Sequence, residues 1–158
     1  MQVLGVFGGS VATPDQEAVA ERVGATAARA GWVVLTGGGP GVMAAASRGA
    51  AEAGGLTLAI LPTSHAASGY PNPWVHVPVF TGAGHARNAF NALSASLCVA
   101  IGGGSGTLSE IALAVKNGIP VWAWRSWTVS DSSGDAPEGL RIFDDADELI
   151  VALEDALV

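Results

Sequence analysis

Arg87 and Glu110 draw attention because each lies beside a glycine-rich segment able to bring backbone against a ligand. Thr36-Gly37-Gly38-Gly39-Pro40-Gly41, Thr81-Gly82-Ala83-Gly84 leading to Arg87, and Gly102-Gly103-Gly104-Ser105-Gly106-Thr107 each follow an apolar run and precede a helical pattern. Gly8-Gly9-Ser10 follows the first apolar run in the same way. Glycine permits positive φ and close backbone approach. A helix opening after such a loop offers free N–H groups and partial positive charge to an anion. One such loop is weak evidence, since glycine also makes plain turns. Three in phase with strand ends predict a phosphate site. Arg87 falls near a helix start, where a cation opposes the macrodipole, so an anion partner is expected for it. Arg87, Asn91 and Ser94 share one helix face and Ala86, Phe90 and Leu93 another. A ligand-facing surface and a solvated polar surface would carry Asn88 and Asn91 equally well. Thr107-x-x-Glu110 reads as a capping box, which requires no chemistry of Glu110.

Several chemistries are missing. No G-x-x-x-x-G-K-[ST] occurs and the sole lysine, Lys116, lies at a helix end, which excludes a P-loop NTPase. No G-x-G-x-x-G follows the first strand, and the second ends in Thr36-Gly37 rather than a ribose-binding acid, against an NAD dehydrogenase. His65, His76, His85 and Cys98 have no metal-ligand spacing, so no metal is expected. The formal charge is −7 with only seven Lys and Arg, which disfavours nucleic acid and anionic membranes as partners. Cys98, the single cysteine, reads as a buried small hydrophobe and fits a reducing compartment. Met1-Gln2-Val3-Leu4 carries no basic residue and its apolar stretch is broken by Gly5, Gly8 and Gly9, so no signal peptide is expected, and no apolar run approaches a membrane span of about 20 residues. A cytoplasmic protein is expected.

The loops need a frame, and short apolar runs alternating with helical patterns supply one. Strands are expected at Val3–Phe7, Trp32–Leu35, Leu56–Leu61, Val75–Phe80, Leu97–Ile101 and Val121–Trp124, with Pro78 marking an edge or bulge. Thr13-Pro14-Asp15-Gln16 opens the first helix as a capping box. Further helices follow from about Val42, Gly84 and Thr107, and a last one capped by Asp144. The pattern predicts one α/β domain over residues 1–158, a doubly wound parallel sheet of six to seven strands with helices on both faces. Abundant glycine and alanine point to close packing between elements. Trp122, Trp124 and Trp127 suit the core or a subunit interface better than the walls of a base pocket.

Gly37-Gly38-Gly39-Pro40-Gly41-Val42-Met43, Arg87-Asn88 and Gly102-Gly103-Gly104-Ser105-Gly106-Thr107-Leu108-Ser109-Glu110 together resemble one superfamily. It joins the cytokinin riboside monophosphate phosphoribohydrolases (LOG proteins, formerly labelled lysine decarboxylases) to the molybdenum cofactor carrier proteins. The resemblance implies a Rossmann-like fold and a homodimer or larger assembly. It implies a small phosphorylated ligand held by Gly9, Ser10, Gly38, Gly39, Gly41, Met43, Arg87, Asn88, Gly103, Gly104, Ser105, Gly106 and Thr107. In the hydrolases Arg87 and Glu110 would be the essential pair, cleaving a nucleoside 5′-monophosphate to base and ribose 5-phosphate. Gly102 stands where those enzymes carry proline, and Asn88 where they carry lysine, which turns the resemblance toward the carrier branch. The expectation is a binding or carrier protein for a nucleotide-like or molybdenum cofactor-type pterin ligand, with no required cofactor. The alternative is the hydrolase. Lysine decarboxylation is not expected, since Lys116 is badly placed for a Schiff base.

Overall fold

Parallel pairing joins seven short strands into one sheet in a computed structural model that describes residues 1–158. The strands are β1 (Val3–Gly8), β2 (Val33–Thr36), β3 (Thr57–Leu61), β4 (Val77–Phe80), β5 (Leu97–Ile101), β6 (Val121–Trp124) and β7 (Leu140–Phe143). Their order is β4-β3-β2-β1-β5-β6-β7. The chain winds outward from β1 to β4, crosses back to pair β5 with β1, and winds the other way to β7. The order therefore reverses between β1 and β5, where doubly wound sheets open a crevice at the strands' carboxyl ends.

The helices are α1 (Pro14–Arg29), α2 (Val42–Glu52), α3 (Arg87–Leu93), α4 (Ser105–Lys116) and α5 (Ala146–Ala156). α1, α2 and α5 bury Val19, Ala46 and Leu149 against Leu4, Val6 and Val99 on one face of the sheet. α3 and α4 bury Ala92, Ile111 and Ala114 against Phe7, Cys98 and Ala100 on the other. Two helices cannot cover seven strands, and the outer end of that second face stays open. Val77 and Val79 of the edge strand β4 remain 43% and 41% exposed there.

Small residues set the closest packing. A Cβ on Gly24 would collide with the Ala46 carbonyl oxygen, and one on Gly49 with that of Glu21, so α1 and α2 meet backbone to backbone. The expected capping box starts α1: Gln16 N–H donates to Thr13 Oγ1 (3.2 Å) and Thr13 N–H to Gln16 Oε1 (3.0 Å).

Three local expectations need correction. α4 does not begin with a Thr107–Glu110 capping box; its N-cap is Gly104, without a side-chain bond, and Glu110 lies inside the helix. Positive φ at Gly102 and Gly103 turns the chain early, so helical geometry is reached before Thr107. The last helix is capped by Asp145, whose Oδ1 accepts from Asp147 and Glu148 N–H, and not by Asp144. Helix formation after Gly84 is split, with a 3₁₀ turn over Gly84–Ala86 before α3 begins at Arg87.

Candidate anion site

The helical bonds of α4 begin with Leu108 N–H donating to the Gly104 carbonyl (3.1 Å). The N–H groups of Ser105, Gly106 and Thr107 precede that bond, and no side chain caps them. They are the open donors of a helix start, with its partial positive charge behind them. They face a cavity of about 370 Å³ at the β1–β5 reversal, walled by Gly8 at the end of β1, by Gly9 and Ser10 of the loop after it and by Met43 of α2. His85, Arg87, Asn88, Gly104 and Glu110 complete the wall.

Arg87 is held in place by backbone. Its Nη1 donates to the carbonyls of Gly37 (3.1 Å) and Ile60 (2.9 Å), just beyond β2 and within β3. Neither Nη2 nor Nε bonds to protein, so half the guanidinium fork is free for an anion. A Cβ on Gly37 would strike Nη1, so glycine there makes the room that the guanidinium occupies. The Tyr70 hydroxyl donates to the same Gly37 carbonyl (3.0 Å). Asn72 fastens the loop once more, its Nδ2 donating to the Gly39 carbonyl (2.9 Å).

Asn88 Nδ2 donates to Ser109 Oγ (2.9 Å), which donates in turn to the Gly106 carbonyl (2.6 Å), bracing α3 on α4. Glu110 is 7% exposed and accepts from Asn91 Nδ2 (3.1 Å). Burial pushes its carboxyl up to about 7, while the Asn91 hydrogen bond and the Arg87 charge pull the other way. Near neutral pH Glu110 therefore carries less negative charge than an ordinary carboxylate and repels an anion in the same cavity correspondingly less. Burial, reinforced by Glu110, also raises the Cys98 thiol, consistent with an inert small hydrophobe.

Gly9, Ser10, Met43, Arg87, Asn88, Gly104, Ser105, Gly106, Thr107 and Glu110 are brought to one cavity. Gly38, Gly39, Gly41 and Gly103 do not line it. Gly38 packs on Leu61, and Gly41 abuts the Gly9 and Ser10 carbonyls where the first two loops meet. Gly103 lies under the Thr107 side chain. These glycines shape the loops rather than touch the space between them. His85 and Tyr70 are additions; only the closeness of His85 to Arg87 in the chain hints at its place.

A groove of about 750 Å³ beside α5 is larger, but Asp145, Asp147, Glu148 and Asp155 rim it and would repel a phosphate. No cluster of three or more His, Cys, Asp or Glu side chains is placed to hold a metal ion. No helix is long and apolar enough to cross a membrane.

A family model described as the SLOG cluster4 family matches residues 1–149. An uncharacterized protein of Archaeoglobus fulgidus is 35% identical over 147 residues, 93% of this chain and 91% of its own length. The molybdenum cofactor binding protein of Rippkaea orientalis superposes with a TM-score of 0.83 at 36% identity, covering 99% of this chain and 98% of that one. The molybdenum cofactor carrier protein of Chlamydomonas reinhardtii gives 0.78 at 34%, covering 99% and 98%.

Proposed function

The chain belongs to the SLOG cluster4 family, and from that premise we propose that it binds a phosphorylated pterin or nucleotide-like ligand and carries it unaltered. The observation that carries the reading is the uncapped start of α4 facing the free side of Arg87 across one cavity. Three N–H donors and a guanidinium edge suit a phosphate monoester, whose oxygens take several charge-assisted hydrogen bonds at once. Likeness along nearly the whole chain to two proteins named for molybdenum cofactor binding supports a pterin of that type as cargo. Burial, which raises the Glu110 carboxyl to about 7, lessens the negative charge it sets against an anion beside it. The chain acts as a single 158-residue binding unit in the cytoplasm, without nucleic acid, in keeping with seven basic side chains against fourteen acidic ones.

The test is recovery of ligand. Protein purified from its own host and denatured should release a phosphorylated heterocycle identifiable by mass spectrometry, and Arg87→Ala should release much less. Equal recovery from both would remove the phosphate role of Arg87.

One observation favours hydrolysis as a second reading: Glu110, a carboxyl titrating near 7, lines the cavity that would hold the phosphate. Such a group is poised for proton transfer at neutral pH. Incubation with AMP decides the matter, since hydrolysis releases adenine and carriage does not.

A further inference from the structure

Two of the three histidines are fastened to the chain and one is not. The rings of His65 and His76 bond to the hydroxyls of Ser64 (3.0 Å) and Thr57 (2.9 Å). The ring of His85 is exposed and bonds to nothing in the chain. It stands where two cavities meet. His85 lines the anion cavity, and it also lines a second cavity of about 520 Å³ between α3 and α4, which reaches Ala89 and Leu113. Asn88, Ser105 and Gly106 belong to both walls as well, so the shared ridge carries two residues of the uncapped α4 start.

Charge is scarce around this ridge. The second cavity has no ionisable wall residue other than His85, and the anion cavity adds only Arg87 and Glu110. Arg87 keeps half of its fork unbonded, and Glu110, 7% exposed, is bonded through Oε1 alone. A phosphate monoester brings about −1.5 to −2 charges near neutral pH, more than one guanidinium offsets. His85 is the one basic side chain left in either wall. An imidazole gains and loses its charge within the physiological range, which a guanidinium does not.

We propose that His85 is the second cationic contact to the bound phosphate, beside Arg87 and the α4 start, and that it makes retention of the ligand depend on pH. The imidazolium donates an N–H to a phosphate oxygen. As pH rises its proton passes to solvent, the positive charge disappears and the hold on the anion weakens. This role rests on the phosphate reading above and adds to it the means by which that site would let its ligand go. Glu110 works in the same direction, since it gains negative charge as pH climbs through about 7. Ionisation of the phosphate itself works in the opposite one, so the contribution of His85 shows only in comparisons made at a single pH.

Titration calorimetry with AMP makes those comparisons for wild type, His85→Gln and His85→Lys, at steps from about pH 5.5 to pH 8.5 across the imidazole range. His85→Gln keeps a donor without the charge. At the acid end it should bind about 10-fold more weakly than wild type, the lower end for a hydrogen bond to a charged group because solvent screens an exposed ring. The ratio should shrink toward one at the alkaline end. His85→Lys keeps its charge throughout, so it should bind like wild type in acid and more tightly than wild type in alkali. Wild type should also take up more protons on binding AMP near neutral pH than His85→Gln does, read from the heats in two buffers of different ionisation enthalpy. Thermal melts of both variants should match wild type, since the ring holds no partner in the chain. A ratio between wild type and His85→Gln that is the same at every pH, including a ratio of one, overturns the contact. Failure of the wild type to bind AMP at any pH would instead overturn the phosphate reading, and this contact with it.

Discussion

Asn91 Nδ2 donates to Glu110 Oε1 across 3.1 Å, joining α3 to α4 through a hydrogen bond shut away from solvent. Asn91 is fully buried, and its Oδ1 has no partner in the chain. A buried acceptor left unmet is costly unless a donor reaches it. The Asn91 Nδ2 bond favours the charged carboxylate, but burial outweighs it and holds the Glu110 carboxyl up at about 7.

This fixes the sign of a pH dependence. Glu110 titrates near 7 in the folded chain, against 4.5 for the ordinary carboxyl. Between those values the folded chain holds the extra proton, so stability falls as pH rises. The contribution is full below the unfolded value and lost as pH climbs through 7. The loss amounts to about 3 kcal/mol, because a tenfold change in proton affinity is worth roughly 1.4 kcal/mol. Thermal melts of wild type should drop between about pH 5 and pH 8, and those of Glu110→Gln should stay level over that window. Parallel curves for the two would refute it.

Asn91→Ala tests the other half of the pair. It removes the hydrogen bond that pulls the Glu110 carboxyl down, so the titration should move higher still. The variant should lose about 1–3 kcal/mol, the cost of a buried polar group deprived of its partner. Chemical denaturation reads the loss, and carbon NMR of the Glu110 carboxyl reads the midpoint. A midpoint that stays near 7 or falls would contradict the pairing.

Arg87→Ala removes two kinds of contact. The bonds to the Gly37 and Ile60 carbonyls are structural, and the free edge of the fork is not. AMP affinity should fall roughly 10- to 100-fold, as expected when a hydrogen bond to a charged group is lost. Arg87→Lys should not restore it, because an ammonium cannot bond two carbonyls and a phosphate in that planar geometry. Calorimetric affinity equal to wild type in either variant would leave Arg87 a brace between β2 and β3.

Much of this arrangement is legible in the sequence, because glycine clusters in phase with strand ends leave few other readings. Glu110 is the instructive failure. Thr107-x-x-Glu110 has the spacing of a capping box, yet positive φ at Gly102 and Gly103 starts α4 earlier and carries Glu110 inside. Spacing alone does not record where a helix begins. Asn91 is ambiguous for a related reason: a polar stripe looks the same against solvent and against a buried carboxyl. Strand β7 escapes the sequence pattern because Arg141 interrupts the apolar run Leu140-Arg141-Ile142-Phe143, and it gains its place by lying over the Trp122 and Phe143 rings.

Gly49→Ala sets two effects against each other. Alanine in place of glycine inside a helix gains up to about 1 kcal/mol from propensity. Here the new methyl would land on the Glu21 carbonyl oxygen, a backbone atom that cannot turn aside. Overpacking of that kind costs about 1–3 kcal/mol and should prevail. The variant should unfold at lower denaturant than wild type, and a stabilised variant would mean that α1 and α2 part readily.

Phe90 and Leu93 of α3 are 47% and 52% exposed, on the same side of the sheet as the open Val77 and Val79 of β4. The tryptophans do not add to this surface, since four of the five are buried or half-buried within the chain. An uncovered apolar face of this kind is what a homodimer would bury. Light scattering should therefore return at least twice the 15.7 kDa of one chain. Phe90→Ser with Leu93→Ser should shift the protein toward the monomer while leaving the fold intact, because neither side chain belongs to the buried core of that face. The cavity lies at the start of α3, so monomerisation should also weaken AMP binding if a second copy helps to seat that helix. A wild-type mass of one chain at micromolar concentration would remove the interface, and the four exposed side chains would then be ordinary surface.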